Sequence, residues 1–118
     1  MLVGAAVLVG AAAPASLSGV SGGLWEVSGV PGTKVPLRQC IANVLMLSQV
    51  EHRGHNCRRT IVSDNGSSTV VSYSCAGAGF GRSQIDVLTP RSLRISTQGI
   101  SDQLPFGYTV QAHRIGDC

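Results

Sequence analysis

The chain has 118 residues, 13% of them charged and 4% aromatic, with a formal charge of +3. That length bounds it to one small domain. The basic residues are spread thinly from Lys34 to Arg114, with no run longer than Arg58-Arg59 and no interleaved aromatics, which excludes nucleic acid as a partner.

Residues 2–13, LVGAAVLVGAAA, are apolar without a break, and the first charged residue is Glu26. Such a run is too short for a mature membrane-spanning helix. It fits the apolar part of a secretory signal, followed by Ala13-Pro14-Ala15 in the small-x-small form that signal peptidase cuts. Residues 1–15 therefore read as a signal peptide removed after Ala15, although no Lys or Arg precedes the apolar run. Residues 16–23, SLSGVSGG, read as a Gly/Ser linker, and residues 24–118 as the folded domain.

Roughly 100 residues then remain, and a domain of that size buries only ~60 to 65% of its extended-chain surface. Covalent help is expected, and Cys40, Cys57, Cys75 and Cys118 supply an even set of four in an exported chain.

From Leu24 onward short segments alternate apolar and polar residues between turn residues. The pattern predicts strands over 24–28, 35–40, 58–63, 69–75, 82–88, 92–97 and 107–115. In Ile85-Asp86-Val87 and Leu93-Arg94-Ile95, apolar and charged side chains take opposite faces. Residues 63–68, SDNGSS, carry an Asn-Gly hairpin turn, and residues 89–92, TPRS, another tight turn. The one helical candidate is 41–53, IANVLMLSQVEHR. The fold class expected is mainly β: a single domain, a curled antiparallel meander of about seven short strands with one short helix and two disulfides.

Disulfide connectivity depends on hairpin register. A two-residue turn at Asn65-Gly66 sets Asp64 against Ser67 and Cys57 against Ser74, on the opposite face from Cys75. That register favours Cys40 with Cys57 and Cys75 with Cys118. A slip of one residue would put Cys57 directly across from Cys75 and leave Cys40 for Cys118.

The order GGLWEVS at 22–28, RQC at 38–40, HNC at 55–57, SYSCAG at 72–77 and a closing HRIGDC resembles a family of small exported proteins from the envelope of Gram-negative bacteria, a domain of unknown function. The likeness covers residues 22–118. It implies a periplasmic location and carries over no catalytic residue. Relatives have a longer, often Met- and Pro-rich segment between the LWEVS stretch and the first cysteine, which is short here.

Motifs with chemical meaning are few. GVSGG at 19–23 matches the G-x-S-x-G nucleophile elbow in letters, but the strand-to-helix turn that exposes such a serine is not expected there. GAGFG at 77–81 precedes a strand and not a helix N-terminus, so it reads as a connection and not a phosphate cradle. Asn65-Gly66-Ser67 has the letters of a glycosylation acceptor, and the turn explains it. EHRGHNC at 51–57 brings His52 and His55 close to Cys57, a ligand mix that zinc or copper accepts, provided that the cysteine is not oxidised. Arg58, Arg82, Arg94 and Arg114 fall on four predicted strands, and outward placement would gather them into a basic patch. No cofactor and no catalytic residue is indicated.

These readings lead to a non-enzymatic binding module of the envelope whose partner is a protein, a lipid or a polysaccharide. The alternative is a small-molecule or metal carrier using a sheet cavity or the His52/His55 pair. An apolar pocket lined by Trp25, Ile85, Ile95 and Val110 would favour the carrier, whereas a filled core with an exposed patch would favour the binding module.

Overall fold

A computed structural model describes residues 14–118; the proposed signal peptide up to residue 13 lies outside the described residues. The seven strands are β1 (Gly23–Ser28), β2 (Leu37–Ile41), β3 (Cys57–Asp64), β4 (Ser68–Cys75), β5 (Gly79–Thr89), β6 (Ser92–Ser101) and β7 (Leu104–Gly116). All pair antiparallel in one sheet of order β2-β1-β7-β6-β5-β4-β3. β3 to β7 form a meander whose last strand returns to β1, so β2 and β3 are the two edges.

A 3₁₀ segment, Val44–His52, carries the chain from the β2 edge to the β3 edge across the inner side of the curled sheet. The helix expected over 41–53 is thus present in the tighter 3₁₀ form. Asn43 caps it by accepting from the Leu45 amide at 2.9 Å. Gln49, at φ −109° and ψ 42°, kinks it. The kink lets the Gln49 amide donate to the carbonyls of His52 (3.2 Å) and His55 (2.9 Å) while its oxygen accepts from Arg59 (2.6 Å). A regular helix would not place that side chain so.

Alternation does the sorting. On the inner face Val27, Ala112, Leu93 and Val87 form one rung across four strands, and Val110, Ile95, Ile85 and Thr69 the next. Trp25, Ile85, Ile95 and Val110 are at most 1% exposed, sealed beneath Val44, Leu47 and Val50 of the 3₁₀ segment. Each such aliphatic side chain taken from water contributes ~1.5 to 3 kcal/mol.

Residues 16–23 do not behave as a linker. A 3₁₀ turn, Ala15–Leu17, places Leu17 in the core at 2% exposure, and the Trp25 indole donates to the Ser21 carbonyl at 3.1 Å. Ser16 is tied to Asp64 and Thr69 by hydroxyl hydrogen bonds.

The disulfides are Cys40–Cys118 and Cys57–Cys75, which corrects the pairing favoured from sequence. The hairpin between β3 and β4 does have a two-residue loop, but at Gly66-Ser67, with the Asn65 amide donating to the Ser68 carbonyl at 3.1 Å. An extra residue in β3 between Ile61 and Ser63 then shifts the register by one, so Cys57 sits directly across from Cys75 with Cα atoms 4.1 Å apart. Cys118 passes the end of β1 to reach Cys40 on β2, Cα to Cα 5.7 Å. Two formed disulfides imply an oxidising, non-cytoplasmic compartment. Among the described residues no helix is long and apolar enough to cross a membrane.

Candidate binding face

His52 is 1% exposed, and both its ring nitrogens are engaged. The Ala78 carbonyl can only accept, so Nε2, at 3.1 Å, carries the proton, and Nδ1 accepts from the Tyr73 hydroxyl at 2.9 Å. Neither ring nitrogen is left for a metal. His55 is exposed, its ring centroid 6.1 Å from that of His52, and Cys57 is oxidised. His113 is on β7, facing Ser92 at 2.9 Å. Among the described residues no group of three His, Cys, Asp or Glu is arranged to hold a metal ion.

Burial pushes the Tyr73 hydroxyl up to about 12, and it raises Tyr108 as well, aided by the Glu51 carboxylate that accepts from Tyr108 at 2.8 Å. Both phenols therefore stay protonated and donate. Every buried side-chain nitrogen or oxygen among the described residues has a partner. The inner side is a filled core in which each polar group serves the fold.

The other motifs resolve into structure. Ser21 precedes β1 on an exposed stretch with no strand leading into it. GAGFG spans the β4–β5 turn, closed by the Ala78 amide donating to Cys75 at 3.0 Å, and continues as β5.

The outer face is different. On β5 the side chains that alternate away from the core are Phe80, Arg82, Gln84 and Asp86. Arg58 lies one rung from Arg82, in register with Ser74 and Phe80, so three of the four expected arginines, Arg58, Arg82 and Arg94, share this face. Arg114 is apart: its guanidinium donates to the Gly22 carbonyl (2.8 Å) and Asp117 (2.6 Å), clasping the two chain ends. Arg94 is paired with Asp86 at 3.3 Å. The ion pairs among the described residues are Arg38–Glu26, Arg94–Asp86 and Arg114–Asp117, and none engages Arg58 or Arg82.

Beside Arg82 a depression of about 490 Å³ opens over β4 to β7; its lining includes Val70, Arg82, Gln84, Gln98, Gly107 and Tyr108. Pattern reasoning reached the arginines but not the depression, because its floor depends on Gly107 lying level with Gln98 across β6 and β7. In comparisons with known proteins, no family model, no curated protein and no solved structure matches this chain.

Proposed function

We propose that the protein is a non-catalytic binding module of the periplasm that engages an envelope component through the outer face of its sheet. The observation that carries this reading is the contrast between the two faces. Among the described residues the inner face is sealed over Trp25, Ile85, Ile95 and Val110, the place where a carrier would need its cavity, and the outer face holds two arginines without ion partners beside an open depression. The resemblance to small exported proteins and the two disulfides support the location. Removal of a signal after Ala15 suits the fold, because Ser16 is the first residue of the proposed mature chain. Its backbone nitrogen stands 3.2 Å from Asp64 Oδ2, where a new ammonium would find its counter-charge.

The test pairs native mass spectrometry of protein isolated from the periplasm with its sedimentation on an envelope fraction. The reading expects the bare mass of the oxidised chain, and sedimentation that falls several-fold in an Arg58→Gln/Arg82→Gln variant. A retained small molecule or metal, with sedimentation indifferent to both arginines, would overturn it in favour of the carrier.

A further inference from the structure

Strand interiors disfavour glycine, which weakens pairing unless something must come close to the backbone there. Gly81 and Gly99, on the neighbouring strands, are explained by packing: a Cβ on Gly81 would stand 2.5 Å from the Tyr73 hydroxyl, and one on Gly99 would strike the Phe80 carbonyl. Gly107 is not explained that way. It lies within β7 at an ordinary backbone angle, and a Cβ there would meet nothing nearer than 3.9 Å. The fold has room for a side chain at the floor of the depression, and the sequence leaves it out.

The walls are amides, hydroxyls and one cation, with Val70 beside Gln84 and Tyr108 next to Gly107 as the apolar members. Gln98 faces Arg82 on one side and Gly107 on the other. The Gln84 nitrogen is held by Asp86 at 2.9 Å, leaving its oxygen to accept, and Thr109 and Ser96 pair their hydroxyls at 3.3 Å. Two rungs from Gln84, Phe80 is 55% exposed on the same face, a flat apolar platform. Hydroxyl pairs need neighbouring donors and acceptors, the C–H face of a sugar ring suits an exposed aromatic ring, and an unpaired guanidinium selects a planar carboxylate through two parallel hydrogen bonds. Val70 and Tyr108 lie among these polar groups and do not form a continuous apolar wall of the kind an acyl chain needs. Protein interfaces centre on a dehydrated apolar core that this lining lacks.

We propose that the depression binds a carboxylate-bearing polysaccharide, with Arg82 on the carboxylate, Gln84 and Gln98 on ring hydroxyls, and the sugar backbone seated over Gly107. The proposal rests on the outer-face reading above and names its ligand class.

The probe is a set of galacturonate oligomers titrated calorimetrically into the oxidised protein at low salt, with neutral dextran oligomers, polyglutamate and phosphatidylglycerol vesicles as comparisons. The proposal expects heat from the uronates alone, weakened by added salt and roughly tenfold weaker in Arg82→Gln, the scale of one charge-assisted hydrogen bond. Gly107→Leu, which fills the floor, is expected to weaken binding at least as much while its thermal midpoint stays at or above the parent's; Gly107→Ala serves where the larger residue disturbs the strand. Uronate binding that is absent, or unchanged in both variants, overturns the proposal. So does binding of vesicles or polyglutamate that depends on Arg82 while the uronates give none. If envelope sedimentation still depends on Arg82 but uronates do not bind, the sugar chemistry alone falls. If sedimentation ignores Arg82, the face falls with it.

Discussion

His52 shows how little of this protein's polar chemistry is free to act. Its two ring nitrogens join the 3₁₀ segment to β4 through Tyr73 and to the β4–β5 turn through Ala78. Gly79, at a φ of +129°, stays a glycine because a Cβ would strike the Ile100 carbonyl, and it would also stand 2.9 Å from Nε2. Tyr73 must keep its proton for this join to hold. Its folded value, about 12, is above the ordinary 10.0, so the stability it confers is fully present below pH 10 and is lost as pH rises through 12. Tyr108, also raised, acts in the same direction. Denaturation followed across this range is expected to show a plateau to about pH 10 and then a fall, smaller in Tyr73→Phe. A flat profile to pH 12 would contradict the buried join.

Among the elements, β5, β6 and β7 carry the outer face, and their hairpins set its register. The β6–β7 turn uses Asp102 (φ 50°) and Gln103 (φ 70°), a left-handed pair that the primed two-residue turn requires and that glycine adopts at least cost. Gln103→Gly is expected to raise stability by ~1 kcal/mol, read as a higher urea midpoint; a loss would show that the side chain has a role of its own.

That turn also marks where sequence reasoning stops short. Seven strands were legible because Ile85, Val87, Leu93 and Ile95 alternate cleanly with polar neighbours. The extensions of β5 to Gly79, β6 to Ser101 and β7 to Leu104 were not, since glycines and Pro105 read as breakers and Asp-Gln does not advertise a turn. The disulfide pairing turned on one bulged residue between Ile61 and Ser63, which no alternation pattern reveals. Of the site, the shared face of Arg58, Arg82 and Arg94 followed from period two, whereas the separation of Arg114 depended on contacts at the chain ends.

For the whole molecule, the two staples act at opposite edges of the sheet. Cys57–Cys75 ties edge strand β3 to its neighbour, and Cys40–Cys118 fastens edge strand β2 and the C-terminus across β1. On the chain-entropy account the staple spanning 18 residues contributes ~3 kcal/mol and the one spanning 78 ~4 to 5 kcal/mol. Against a total of roughly 5 to 15 kcal/mol, either decides how much folded protein survives at body temperature. Replacing both Cys40 and Cys118 by alanine is expected to cost the larger amount in urea unfolding, and a loss below ~1 kcal/mol would show that hydrocarbon burial alone holds the sheet closed.

The proposed function places recognition on the outer face of the sheet. Hydroxyl-radical footprinting of the oxidised protein, free and sedimented on an envelope fraction, reads this directly. The account predicts protection at Phe80 and Ile100 on the outer face, with Met46 on the covering segment and His55 in the bend after it unchanged. Protection at Met46 and His55, with Phe80 as reactive as in the free protein, would contradict it.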